Sequence, residues 1–407
     1  GHACTINGLI HSSESLMKTQ TKSQRLYLDY ASTWPMRHEV WEAMSAELKQ
    51  SFNPASSHGP GRQAHRSLEL ARARVGKLLG CTRAGIYFTG GGTQSDNLAI
   101  LGFARAHAGE NPRIFVSEIE HKACTASAEQ ASAEQARVSE VPVDSSGTVN
   151  LGWLERKLAS DPKAPTLVSI MWANNEIGTV QPMSKIVDIA HANNAIVHTD
   201  AVQALSKINV NIEQTPVDLL SATAHKLGGP VGIGILYCRP GIRLEPLSYG
   251  GGQERSMWPG TQNPLGAIGF TAALALALEG QREHVAHWEE LRYHLESRVL
   301  SEIPGARIHG HDAKRRLPHI VSVGIPGCDS GAILVSLDLE GIAVSGGSAC
   351  GSDSGLGSSV LDALGLDVEP PYATIRFSFG TETSRLDIDR AVDALVRIAG
   401  RVHSLSV

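Results

Sequence analysis

The chain has 407 residues with 36 basic and 41 acidic side chains, a net charge of −5, 42% hydrophobic residues and 19% charged ones. This composition excludes a disordered or collagen-like chain, leaves ample length to bury a core in one long or two ordinary domains, and argues against a nucleic-acid or polyanion binder. Glycine is the outlier: 41 residues, about a tenth of the chain against roughly 7% in average proteins, which raises the question of where backbone must approach a ligand closely.

In chain order, residues 1–16 are polar and mixed, lack a basic-then-apolar leader and begin with a Gly-His pair that reads as a cloning remnant; Met17 is the expected natural start, and residues 1–23 form a tail. Three-four apolar spacing predicts helices over Ser67–Leu79, Gln94–Ala106 and Met183–Ala192. Short β-rich runs predict strands over Gly85–Phe88, Arg113–Ser117, Thr166–Met171, Ala195–Thr199, Asp218–Ala222 and Gly232–Cys238. This alternation predicts an α/β fold with a mostly parallel sheet. The longest apolar run, Leu265–Leu278, is too short to span a bilayer and is interrupted by Gly266, Gly269 and Thr271, so it reads as a buried helix and no membrane span is expected. An amphipathic stretch from Arg282 to Ile303 then leads into strand His319–Ile325, helix Ala332–Leu339, strand Thr374–Phe379 and helix Leu386–His403. The change of pace predicts a large domain over 24–280 and a smaller α+β domain over 281–407.

Cys4, Cys81, Cys124, Cys238, Cys328 and Cys350 are scattered without a C-x-x-C pair, so reduced cytoplasmic thiols are expected, with neither a disulfide framework nor a metal cluster. Cys350 differs from the others. It lies in Gly346-Gly347-Ser348-Ala349-Cys350-Gly351-Ser352, which has no apolar periodicity to bury it, and an exposed thiolate is the reactive form.

The chemistry begins where strand Gly85–Phe88 runs into Thr89-Gly90-Gly91-Gly92-Thr93-Gln94-Ser95 and a helix follows. Backbone amides of such a turn can point at a phosphate, with Thr93 or Ser95 adding a hydroxyl; the bland alternative is a helix capped by one of those hydroxyls. Downstream, one strand ends in Asp200-Ala201-Val202-Gln203 and the next in Thr223-Ala224-His225-Lys226. In open α/β sheets the carboxyl ends of strands are where ligands bind. Lys226 is a solvated loop charge on the bland reading. On the functional reading it is a Schiff-base lysine for pyridoxal phosphate, with Asp200 keeping the ring nitrogen protonated and His121 stacking on the ring.

The series Leu28-Asp29-Tyr30-Ala31, Asn53-Pro54-Ala55-Ser56-Ser57-His58, Asn174-Asn175-Glu176-Ile177-Gly178, Asp200-Ala201-Val202-Gln203, His225-Lys226 and Ser345 to Gly355 resembles the cysteine desulfurases, fold-type I pyridoxal phosphate enzymes of the aminotransferase class V superfamily. The resemblance covers about residues 26–400, and the Ser348-Ala349-Cys350 context is similar to the NifS/IscS branch. It implies a seven-stranded, mostly parallel sheet in the large domain. It implies that Lys226 carries the cofactor, that Asp200 partners the pyridine nitrogen, that His121 stacks and moves protons, and that Gln203 and Asn175 lie at the ring oxygen. Gly92, Thr93, Thr223 and His225 would hold the phosphate, with Thr261 reaching over from the other subunit of a homodimer. Arg376 and Asn175 would bind the substrate carboxylate, and Cys350 would take sulfur from L-cysteine as a persulfide, release alanine, and pass the sulfur to an acceptor protein.

The sequence departs from the family pattern at Trp34, at Trp258-Pro259, at Gln94 and at Gly351; the two tryptophans would bear on substrate access or partner choice. Selenocysteine lyase and cysteine sulfinate desulfinase are alternatives on the same cofactor site, and a noncatalytic scaffold in a sulfur relay is one of another class. Iron–sulfur clusters, thiolated RNA and modified DNA all stand open as destinations of the sulfur.

Overall fold

A computed structural model describes residues 25–48, 52–347, 358–366 and 368–406. The strands, in chain order, are β1 (Leu26–Tyr27), β2 (Ile86–Thr89), β3 (Arg113–Ser117), β4 (Arg137–Val141), β5 (Thr166–Ser169), β6 (Ile196–Asp200), β7 (Leu219–Thr223), β8 (Gly234–Cys238), β9 (Arg307–Ile308), β10 (Ile320–Pro326), β11 (Ile342–Ala343) and β12 (Tyr372–Ser378). Seven of them form one sheet in the order β2-β8-β7-β6-β5-β3-β4, parallel except where β8 runs antiparallel to both neighbours. The expected α/β architecture with a mostly parallel seven-stranded sheet is thus present.

Local sequence explains these elements. Strands β3, β5, β7 and β8 are buried along their whole length, which is why they read as unbroken apolar runs rather than alternating ones. Strand β4 was not legible: Arg-Val-Ser-Glu-Val lies at the sheet's edge with only Val141 buried, so it carries little hydrophobic signal. Gly85 belongs to a 3-10 turn, Arg83–Gly85, ahead of β2. Helix Gly59–Leu79 begins eight residues before the predicted one, because His58 Nδ1 accepts the Gly61 amide at 3.2 Å and Pro60 sits in the first turn.

The apolar run near 265 forms helix Pro264–Glu279, in which Phe270, Ala273 and Leu274 are fully buried; it packs on helices His38–Leu48 and Gly59–Leu79 on one face of the large sheet. Burying each large apolar side chain contributes about 1.5–3 kcal/mol. No helix among the described residues is long and apolar enough to cross a membrane. A second core lies between the antiparallel sheet β12-β10-β9 and helices Gln281–Glu302, Ser330–Leu339 and Arg385–Ser406. Leu26, Leu28 and Trp34 join this core, and β1 pairs in parallel with β11, so the start of the described chain is stitched to a strand more than 300 residues on. The residues between, 29–33, are thereby drawn across the edge of the large sheet.

Candidate active site

Strands β2, β3, β5, β6 and β7 share one direction, so their carboxyl ends make one edge of the sheet. That edge holds the turn after Thr89, His121 after β3, Asn175 after β5, Asp200 at the end of β6, and Thr223 at the end of β7 with Lys226 just beyond it. Thr89 and Thr223 both pair with Gly234 of β8. A Cβ on Gly234 would stand 2.6 Å from Ala222 O and 2.7 Å from the Gly91 carbonyl carbon, both immovable backbone, so only glycine permits this approach.

The glycine turn is built for an anion. Helix Gly92–Ala106 has Gly91 at its N-cap, with no side chain bonded to the cap. This excludes the hydroxyl-cap reading. Ser95 is fully buried and its Oγ is taken by Gly91 O, Ile235 O and Thr89 Oγ1, so it braces the turn, and of the two predicted donors only Thr93 remains available. A Cβ on Gly92 would meet Val202 Cγ2 at 3.0 Å and Thr223 at 3.9 Å, which brings the glycine turn, the end of β6 and Thr223 into one cradle. Burial, with the Lys226 charge adding to it, pushes His225 down to about 4, so its ring is neutral near pH 7; Nδ1 lies 3.1 Å from Thr33 Oγ1.

Asp200 accepts the Val202 amide at 2.8 Å. Burial raises its pKa, opposed by His121, by that amide and by Lys226. His121 caps helix Lys122–Ala133 through Nδ1, which accepts the Ala123 amide at 3.1 Å. Nδ1 is therefore the acceptor nitrogen, and the proton of the neutral ring sits on Nε2.

Residues 29–34 gather the remaining groups. Lys226 Nζ donates to Ala31 O and to Ser32 O, both at 2.6 Å, and Gln203 Nε2 donates to Ala31 O at 2.8 Å. Arg376, in β12, is buried; its Nη2 donates to Asp29 Oδ1 and Ser32 Oγ at 2.9 Å and its Nη1 to Asn175 O at 2.8 Å, while Nε is buried without a hydrogen-bond partner among the described residues. Asn175 thus meets Arg376 through its backbone. Asp29 and Ser32 carried no role in the sequence reading, although Leu28-Asp29-Tyr30-Ala31 was part of the resemblance; only the fold reveals that this segment touches both the lysine and the arginine.

A buried acidic group behind Asp200 was also missed. Asp96, Cys124 and Asp200 bring ligand-type atoms within 4.8 Å of one another, and Glu120 lies close by. Burial and the neighbouring carboxylate push Asp96 well up, burial pushes Cys124 well up, and burial pushes Glu120 up to about 8. These side chains form a buried wall beside Asp200 whose low polarity favours their uncharged forms.

Thr261 is exposed on a loop whose root is fixed by Glu254: its carboxylate takes Arg72 Nη1 and Nη2 at 2.6 and 2.7 Å, the Phe88 amide at 2.9 Å and Gln262 Nε2 at 2.6 Å. Trp34 is buried, edge-on to Tyr30 at 5.0 Å and Trp288 at 5.8 Å, and Trp258 is partly buried against the core around helix Gly92–Ala106. Both tryptophans pack within their own chain. Cys350 lies outside the described residues.

Residues 26–391 match the family model for aminotransferase class V. The chain is 38% identical over 384 residues to cysteine desulfurase IscS of Dictyoglomus turgidum, covering 94% of this chain and 96% of that one. Its fold is similar to a solved NifS-like protein, with TM-score 0.86 and 35% identity over 93% of this chain and all of that one. It is also similar to SspA, solved in complex with cysteine, with TM-score 0.75 and 28% identity over 88% of this chain and all of that one. The chain belongs to the aminotransferase class V family, a class of pyridoxal-phosphate enzymes. Within that family it stands among the cysteine desulfurases, and it is an enzyme of that kind.

The donor set described above fits pyridoxal phosphate: an uncapped helix end for the phosphate, a buried carboxylate for the ring nitrogen and a lysine amine lodged between two carbonyls.

Proposed function

We propose that this enzyme takes L-cysteine, transfers its sulfur to Cys350 as a persulfide, and releases L-alanine. The balance is closed without an added oxidant: one thiol and one cysteine give one persulfide and one alanine. The observation that carries the reading is the convergence of Lys226, Gln203 and Arg376 on residues 29–32, beside buried Asp200.

In this reading Gly92, Thr93, Thr223 and His225 hold the phosphate, Asp200 the ring nitrogen and Gln203 and Asn175 the ring oxygen, with Thr261 supplied by the second copy of a homodimer. Pyridoxal phosphate, when bound, supplies an electron sink for negative charge developing at the substrate Cα. Arg376 anchors the substrate carboxylate through its planar donor fork, with Asp29, Ser32 and the Asn175 carbonyl fixing the plane of the fork. Lys226 moves the proton at Cα, and the Ala31 and Ser32 carbonyls hold its amine in place between transfers. His121, with its proton on Nε2, would stack on the ring and move a proton to the β-carbon that the sulfur leaves. The Cys350 thiolate attacks that sulfur and then delivers it to an acceptor protein. The free thiols Cys81, Cys124, Cys238 and Cys328 support a reducing, cytoplasmic setting.

The test is the absorption spectrum of the purified protein together with alanine release. A band at roughly 390–420 nm that disappears in Lys226→Ala is expected. Alanine release from cysteine should collapse in Cys350→Ala, while release from selenocysteine or cysteine sulfinate should not. A colourless wild type, or a Cys350→Ala variant with undiminished release from cysteine, would overturn the reading.

A further inference from the structure

The chain's net charge of −5 argued against a polyanion binder, yet a sum over 407 residues hides how charge is distributed. At the junction between the large sheet's loops and helix Gln281–Glu302 lies a cleft of about 470 Å³. Six basic residues line it: Lys207 from the turn after β6, Arg282 and Arg292 from the helix, and Lys314, Arg315 and Arg316 from the segment before β10. Glu289 is the one acidic residue in its lining.

Little within the described residues answers this charge. Arg282, Lys314 and Arg315 are exposed and their side chains make no ion pair there; Arg292 donates only to the Leu317 carbonyl, at 3.2 Å. The Arg316 side chain is buried beside Glu296, 2.8 Å from Nη1, and its Nε and Nη2 have no hydrogen-bond partner among the described residues. Lys207 is buried too. Its Nζ lies 3.0 Å from Ser206 Oγ, 3.3 Å from the backbone carbonyl of Lys226 and 4.6 Å from the centre of the Trp34 ring. Arg292 lies near enough to Arg316 for the two like charges to repel, a repulsion that an anion in the cleft would relieve.

We propose that this cleft is a binding site for a small polyanion of the polyphosphate type, distinct from the cofactor's phosphate cradle. The helix and the segment before β10 each contribute cations, so a ligand with several adjacent anionic groups gains more than a single phosphate can. The guanidinium groups of Arg282, Arg292 and Arg315 offer forked donors suited to phosphate oxygens. The volume suits a small molecule rather than a folded partner. At the buried end, Lys207 places the site one hydrogen bond from the backbone of Lys226, and beside two tryptophans whose emission reports on it. The inference does not rest on the desulfurase reading.

The test is calorimetric titration of the holoenzyme, whose own phosphate cradle is filled, with sodium tripolyphosphate at low ionic strength, followed in parallel by tryptophan fluorescence. Saturable binding is expected, weakened about tenfold or more by added salt and by the double substitution Lys314→Glu, Arg315→Glu. Both substituted residues are exposed, so folding and the cofactor's absorption band should be unchanged. Orthophosphate should bind about tenfold or more weakly than tripolyphosphate. No saturable heat, equal affinity in the double variant, or orthophosphate binding as tightly as tripolyphosphate would each overturn the proposal.

Discussion

Gln203 and Lys226 donate to the same oxygen: Gln203 Nε2 and Lys226 Nζ stand 2.8 and 2.6 Å from the carbonyl of Ala31. A carbonyl carries two lone pairs, so one backbone atom of the segment 29–34 positions both side chains, while its neighbours Asp29 and Ser32 position Arg376. The segment is itself held by β1 on one side and buried Trp34 on the other. Strain or loosening anywhere along it is therefore felt at the lysine and the arginine together.

Arg376→Lys keeps the charge and loses the fork. The KM for cysteine should rise about 10- to 100-fold with a smaller change in kcat, because the lost contact binds ground and transition states alike. Steady-state kinetics read this directly; an unchanged KM would remove Arg376 from the substrate site.

Glu254 holds Arg72 in a buried, two-pronged pair and three residues in succession, Glu254, Arg255 and Ser256, carry left-handed backbone angles. Glu254→Ala removes the two-pronged partner of a buried guanidinium, leaving it only Glu69 at Nε, and should cost about 3 kcal/mol in denaturant unfolding. Because Gln262 also bonds Glu254, the loop bearing Thr261 should become more susceptible to proteolysis.

Glu120 has its carboxyl pushed up to about 8 by burial, against an ordinary value of 4.5. In the folded protein it keeps its proton up to about 8, whereas unfolded it would ionise from 4.5, so its contribution to stability falls as pH rises through that window. Glu120→Gln should match the wild type near pH 5 and be the more stable near pH 8, the gap widening by at most about 1.4 kcal/mol per pH unit. Thermal melts across this range check the sign.

Trp34→Thr empties a buried site between Tyr30 and Trp288. The loss should be about 3–5 kcal/mol of stability, as for other aromatic truncations in a core. Specific activity of the folded fraction at low temperature should change little if the side chain only packs.

Much of the outline was legible because it is local. Buried parallel strands announce themselves as apolar runs, and the turn from Thr89 to Ser95, the Asp200–Gln203 step and the His225-Lys226 pair follow directly on such runs. The edge strand Arg137–Val141 was not legible, since half of it faces solvent, nor was the antiparallel sense of Gly234–Cys238, which no local pattern encodes. The sequence by itself determined the class of fold and the residue types at the carboxyl ends of the strands, since periodicity and turn chemistry act over a few residues. The tertiary structure alone decided which of them meet: that residues 29–32, nearly two hundred positions from Lys226 and some 350 from Arg376, bind both; that Ser95 braces rather than donates; that Trp34 packs; and that six basic residues of an acidic chain share one cleft. Those contacts join segments far apart in the chain, and only the packing of two cores against each other brings them within hydrogen-bonding distance.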